Sequence, residues 1–202
     1  GFLCFTLVPF LMSFVLSFTN FNILSPDTKF IGLDNYVKLF TQDKLFIKSL
    51  KVTFKFAFIS VPLRLIFALF VAMILNRKSR AVPIYRVVYY LPSIIGGSVA
   101  VSVMWRNLFT KAGVINSLLQ AVGIDCRLNW LSNTKTALFT LILLYVWQFG
   151  SSMLIFLSGL IQIPVSYYEA AEVDGAGKVR QFFSITLPLL SPIILFNLVM
   201  QI

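Results

Sequence analysis

Glu169, Glu172 and Asp174 stand within one short stretch and are three of only seven carboxylates in a chain of 202 residues. Acids set this close can act as general acid and base, hold a cation, or present negative charge to a partner. The first two uses need company that this sequence lacks. It has no histidine, which excludes His-based nucleophilic catalysis and His-containing metal sites, and Cys4 and Cys126 are far apart with no C-x-x-C. No acid falls inside an apolar run, so no catalytic residue and no metal ligand is assigned.

The other residues able to do chemistry are set in apolar surroundings. Trp147, Gln148, Ser151 and Ser152, with Asn197 and Gln201 further on, are aromatic or polar groups within long apolar runs. Aromatic faces with amide and hydroxyl groups suit a carbohydrate, which makes them candidates for a substrate path. Helix packing is the competing use, because Ser and Asn bond across helices and Gly150 allows close approach. Arg64 stands alone inside an apolar run, where a cation either serves a pathway or reaches outward to the interface.

The elements that must carry these residues follow from composition. The chain is 58% hydrophobic and 12% charged, with mean hydropathy +0.89, which excludes an ordinary soluble domain. A helix crosses a bilayer core with about 20 apolar residues. Stretches 2–19, 56–75, 84–105 and 136–163 meet that need, and a fifth begins at 187 and runs to 202. The expected class is an all-α integral membrane bundle forming one transmembrane domain over 1–202. Stretch 2–19 lacks the small-residue cleavage site of a signal peptide and is followed by further spans. A start at Gly1 and an end within an apolar run at Ile202 read as a fragment cut at both ends. The net charge of +10 is interleaved with apolar runs, which favours anionic lipid headgroups over nucleic acid.

Polar links join the spans. Lys44, Lys48, Lys51 and Lys55 recur at helical spacing and suggest an amphipathic helix at the headgroups. Residues 20–55 also hold Pro26 and Gly32, residues 76–83 are short and basic, and 110–135 carry turn residues. Tyr89, Tyr90, Trp105 and Tyr167 near span ends read as interfacial aromatics. Orientation is ambiguous from charge. One side collects six cations, Arg77, Lys78, Arg80, Arg86, Lys178 and Arg180, and the other ten, including Arg106, Arg127 and Lys135. Plain counting puts the six-cation side outside, whereas the density of Arg77 to Arg86 puts it inside.

The acids lie in the link 164–187, which reads as helix, turn, helix. Pro164 ends the fourth span, Ser166 is placed to cap a new helix with Glu169 and Glu172 near its positive end, and Gly175 and Gly177 permit a left-handed turn. Phe182, Phe183 and Ile185 fall on one side of the next short helix, and Pro188 opens the fifth span. Ala170 and Ala171 keep the first helix slim, so another protein's backbone can approach. A loop that only reverses the chain needs far fewer residues.

The pattern Glu169-Ala170-Ala171, Gly175, Ile185, Leu187-Pro188 resembles the EAA loop of binding-protein-dependent ABC importer permeases. Tyr168 to Ala176 and Thr186-Leu-Pro-Leu-Leu-Ser-Pro192 resemble the carbohydrate-uptake branch, of maltose and glycerol-phosphate type. Gly159 to Pro164, Tyr90-Leu-Pro92, Trp105 to Phe109, Gly113 to Asn116 and Gly32 to Tyr36 fit the same branch. The resemblance implies about five of six core helices and a permease for a sugar or polyol in the bacterial inner membrane. It implies no enzyme activity and no cofactor in this chain, ATP being bound by a partner ATPase dimer. A second permease subunit, forming a heterodimer, and an extracytoplasmic solute-binding protein are the further partners. The loop becomes a cytoplasmic coupling helix, in which Glu169 meets a basic groove on the ATPase, Ala170 and Ala171 give close contact, Asp174 adds a polar contact or local cap, and Gly175 makes the turn. Residues 32–46 then face the binding protein or simply connect. Rivals are a permease for a non-sugar solute, a carrier or channel without an ATPase, and a membrane-embedded enzyme. The enzyme would need acids or a metal site at membrane depth.

Overall fold

The computed structural model describes residues 1–24, 28–77, 80–124 and 128–202; Pro26, Lys78, Cys126 and Arg127, named above, lie outside them. Among the described residues the chain is all-helical, with one isolated bridge between Thr19 and Phe30. It divides into two compact units, residues 1–55 and 56–202.

In the first unit a π-helical turn, Leu3–Leu7, leads into α1, Val8–Leu16. Together they make an apolar helix, Leu3–Leu16, shorter than a full span and than the expected 2–19. The wide turn sits just before Pro9, whose ring excludes the usual bond to the carbonyl four residues back, and the Val8 N–H reaches the Leu3 carbonyl instead. Gly32, at φ +59°, turns the chain into α2, Asp34–Thr41. Asn35 Nδ2 donates to the carbonyls of Ser17 and Thr19, both at 2.9 Å, and the Tyr36 and Ser17 hydroxyls lie 2.7 Å apart. The segment Gly32 to Tyr36 therefore has work to do inside its own unit.

α3 runs Lys44–Leu75, so the expected headgroup helix and the second span are one element. Asp43 Oδ1 starts it by accepting from the Leu45 and Phe46 N–H groups at 2.9 and 3.0 Å. In the second unit, α4, Val82–Ile95, and α5, Val99–Leu108, meet at 95°. The expected straight span over 84–105 breaks at Gly96-Gly97, and Ser98 Oγ restarts the helix by accepting the Val101 N–H at 3.3 Å. α6, Val114–Ala121, lies in the following link. α7, Ala137–Trp147, and α8, Gly150–Gln162, meet at 43° across Gln148 and Phe149. α9 is Val165–Val173, and α10 runs Lys178–Gln201, beginning ahead of the expected 187. Within α10 a second π turn, Phe182–Thr186, precedes Pro188 for the same steric reason as at Pro9.

Two sequence stripes build the core. Val61, Leu65, Ala68, Ala72 and Leu75 alternate spacings of four and three along α3, and Met153, Phe156 and Leu160, with Leu157 beside Phe156, follow the same three- and four-residue spacing on α8. They pack together with Leu190 of α10, and Ala68 and Ala72 are fully buried, as small residues at membrane helix contacts are. Outward residues such as Ile66 and Phe70 are exposed, suiting a hydrocarbon surround. Trp105 differs from the interfacial role expected for it: it is buried, and its Nε1 donates to the Thr140 carbonyl at 3.2 Å.

Two glycines set helix separation. A Cβ on Gly150 would strike the Tyr89 carbonyl and come within 2.7 Å of the Tyr90 Cα, both backbone, whereas one on Gly159 would meet the flexible ends of Ile193 and Leu190. Gly150→Ala is expected to destabilise the full-length protein by about 1–3 kcal/mol and Gly159→Ala by less. Thermal unfolding in detergent ranks the two, and equal losses would contradict the backbone contact.

Candidate functional site

The link that carries the acids is shaped by its own backbone. α9 begins after Pro164, and Ser166 caps nothing, since it lies inside the helix and the cap position is Pro164 with no side-chain bond. The first turn therefore holds no acid; Glu169 and Glu172 sit further along, beyond the reach of the positive end. The helix closes through a Schellman arrangement. The Ala176 N–H donates to the Ala171 carbonyl at 2.8 Å, and the Gly175 N–H to the Glu172 carbonyl at 3.0 Å. This needs a left-handed residue, and Gly175 has φ +74°. Gly177 is extended at φ −68°, so the left-handed turn expected of both glycines rests on Gly175 alone.

The side chains divide into fixed and presented groups. Lys178 Nζ donates to Glu172 Oε1 across the turn, and Gln181 Nε2 donates to the Ala176 carbonyl at 3.1 Å. The Lys178 hydrogen bond first, and its charge second, hold the Glu172 carboxyl below its usual range. The pair's small, solvent-screened contribution is complete above the ordinary carboxylate range and fades as pH falls through the lowered value. Glu169 and Ala170 are exposed, Ala171 is half-buried, and the Glu169 carboxylate has no hydrogen bond or ion pair among the described residues. Asp174 occupies the backbone cap position, with its side chain exposed. One contact gave no sequence signal: the Tyr168 and Thr186 hydroxyls lie 2.8 Å apart and tie α9 to α10. Ile185 is half-buried beside Thr186, while Phe183 is 61% exposed, so the three apolar residues do not share one packed face.

The second cluster forms at the α7–α8 break. Interrupting the helix frees the Gln148 carbonyl and the first N–H groups of α8. Arg64 Nη2 donates to the Gln148 carbonyl at 2.6 Å and to Ser151 Oγ at 3.2 Å. Ser93 Oγ donates to the same carbonyl at 2.9 Å and accepts the Ser151 N–H at 3.0 Å. Arg64 is 7% exposed and its guanidinium lies 4.5 Å from the Tyr145 ring centroid, so it does not reach out to the interface. Tyr145 donates to the Gln201 carbonyl at 2.7 Å, and Gln201 Nε2 donates to Ser152 Oγ at 3.0 Å.

Of the candidate pathway residues, Gln148, Ser151 and Gln201 thus come together, joined by Arg64, Ser93, Tyr145 and Ser152. Trp147 stands apart, its ring 6.1 Å from that of Trp105. Asn197 is fully buried, with Nδ2 on the Ile193 carbonyl at 3.3 Å and Oδ1 without a partner among the described residues. Nothing in the local pattern distinguishes Ser93 or Tyr145 from other apolar-run residues; the packing of α4 against α8 recruits Ser93, and contacts of α7 with Gln201 and Arg64 recruit Tyr145.

Comparison with known proteins places this arrangement. The family model of the binding-protein-dependent transport system inner membrane component matches residues 53–202, close to the second compact unit. The chain belongs to that family. It is 60% identical over 201 residues to the probable ABC transporter permease protein YesP of Bacillus subtilis (strain 168), covering 100% of this chain and 65% of that protein. It is 37% identical over 177 residues to the sn-glycerol-3-phosphate transport system permease protein UgpA of Yersinia pestis, covering 87% of this chain and 59% of that one. The chain thus spans about two thirds or less of the length of these curated relatives. A crystal structure of a bacterial alginate ABC transporter, in complex with an alginate pentasaccharide-bound periplasmic protein, matches with a TM-score of 0.81 at 25% identity, over 99% of this chain and 66% of that one. The family member is an all-helical, multi-pass inner-membrane protein.

Two substitutions test the geometry. Ser93→Ala removes a donor and an acceptor from the break and is expected to lower stability by about 1 kcal/mol, read by thermal unfolding in detergent. Gly175→Ala is expected to cost about 1–2 kcal/mol at the end of α9, seen as faster amide exchange of residues 171–176, while Gly177→Ala leaves exchange unchanged.

Proposed function

We propose that this chain is the membrane-spanning permease subunit of an ATP-driven, binding-protein-dependent importer for a sugar or related polyol. Membership in the inner-membrane transport family supports the importer reading. The names of the UgpA relative and the alginate transporter support the carbohydrate-type solute. ATP is bound and hydrolysed by a separate ATPase dimer, a second permease subunit completes the membrane pore, and an extracytoplasmic binding protein delivers the solute.

In this reading residues 164–187 are the cytoplasmic coupling segment, and one observation carries it. Glu169 and Ala170 are exposed on a helix tied to α10 at its root by the Tyr168–Thr186 contact and at its far end by the Gly175 turn and the Lys178–Glu172 pair. Glu169, left without an internal partner among the described residues, is free to meet a basic groove in a directional, charge-assisted contact. Ala170 and Ala171 allow close approach, Asp174 offers a second polar contact, and displacement of α9 passes to α10 through its ties. The solute path runs by Gln148, Ser151 and Gln201, whose amides and hydroxyls suit a polyol, with Trp147 at the end of α7 and Asn197 on α10.

Glu169→Lys in the complete transporter is expected to cut ATP-dependent uptake on the order of tenfold or more and to reduce co-purification of the ATPase. Membrane insertion is expected to be unchanged. Normal uptake and normal co-purification would overturn the coupling assignment.

A further inference from the structure

A cavity of about 510 Å³ lies where α3 and α8 end and α4 and α9 begin, and the coupling and pathway readings leave it unused. Its polar wall is basic. Arg77 follows α3, and Arg86 stands in the second turn of α4, half-buried, with Nε occluded and without a hydrogen-bond partner among the described residues. Among the described residues that line it there is no Asp or Glu. A buried guanidinium edge without an acceptor is costly, and a planar donor fork matches the oxygens of a phosphate. The rest of the lining is largely apolar. Leu160 is buried, while Ile161 is 57% and Val165 67% exposed at the mouth. Tyr168, at the root of α9, also lines it.

A free phosphate would use the arginines and leave the apolar mouth without a role. An anionic phospholipid uses both, its phosphodiester on Arg77 and Arg86 and its acyl chain along Ile161 and Val165. The position also suits it, since the cavity sits at the ends of α3 and α8, where a headgroup layer begins. We propose that this cavity is a binding site for an anionic phospholipid. Bound there, the lipid wedges against Val165 and Tyr168, the start of the loop tied to α10 through Thr186. On the coupling reading above, the lipid then tunes how firmly α9 is held, but the binding itself does not depend on that reading.

The test is binding of fluorescent phosphatidylglycerol to the complete transporter in phosphatidylcholine nanodiscs, without nucleotide or solute. Arg77→Gln and Arg86→Gln are each expected to weaken binding on the order of fivefold, the scale of one cation near a membrane surface, and Arg106→Gln in the last turn of α5 to leave it unchanged. Arg77 is exposed, so its variant reports even where the Arg86 substitution disturbs folding. Inorganic phosphate at millimolar concentration is expected not to displace the lipid. Equal binding by Arg77→Gln and the parent, or full displacement by phosphate, would overturn the proposal. Because the measurement involves neither ATP nor uptake, its failure is distinct from failure of the coupling assignment.

Discussion

A helix interrupted at membrane depth leaves backbone groups that hydrocarbon cannot satisfy, and the second unit is arranged around meeting that demand at Gln148. The break between α7 and α8 frees one carbonyl and the amides that open α8. Arg64 from α3 and Ser93 from α4 supply the missing partners, with Ser93 acting as donor and acceptor at once. Gly150 lets α4 come close enough for Ser93 to reach, because a Cβ there would strike the α4 backbone. One local interruption therefore dictates the separation of α4 and α8, the inward turn of Arg64 and the convergence of polar side chains beside it.

The loop at residues 164–187 answers a different constraint, that of holding a short helix in a defined pose with few contacts. It does so with backbone chemistry. Pro164 stops α8, Gly175 closes α9, and the π turn before Pro188 carries α10 back into the bundle. Two side-chain ties, Lys178 to Glu172 and Tyr168 to Thr186, keep α9 attached to α10. Of the acids, Glu172 is consumed by the structure, whereas Glu169 and Asp174 face outward. Beneath the loop, the basic cavity at Arg77 and Arg86 gives it a second neighbour of a different chemical kind.

Much of this was legible in the residues. The scarcity of acids, the absence of histidine and the apolar runs fix the class, and the spacing from Glu169 to Pro188 marks the family. The apolar run 84–105 reads as one span, yet the chain turns by 95° between α4 and α5, where Gly96 and Gly97 stand. Other local inferences failed for identifiable reasons. Ser166 looked like a cap because it follows Pro164, but the helix had already begun. Gly177 looked like a left-handed position because it is glycine, yet residue type permits that conformation without requiring it. Trp105 looked interfacial by its place near the end of a run, and is instead buried with its N–H on Thr140.

The sequence by itself determined what is governed by composition and by neighbours along the chain. Helices follow from the stripes at three- and four-residue spacing, and the closing turn from Gly175. Only the tertiary structure decided which polar groups meet. Arg64 and Gln148 are 84 positions apart and Tyr145 and Gln201 are 56, so no local pattern relates them. For Arg64, reaching outward and turning inward were both open until helix packing placed a freed carbonyl within hydrogen-bond distance. A buried cation takes the partner that geometry provides, and that geometry is set by the break and by Gly150.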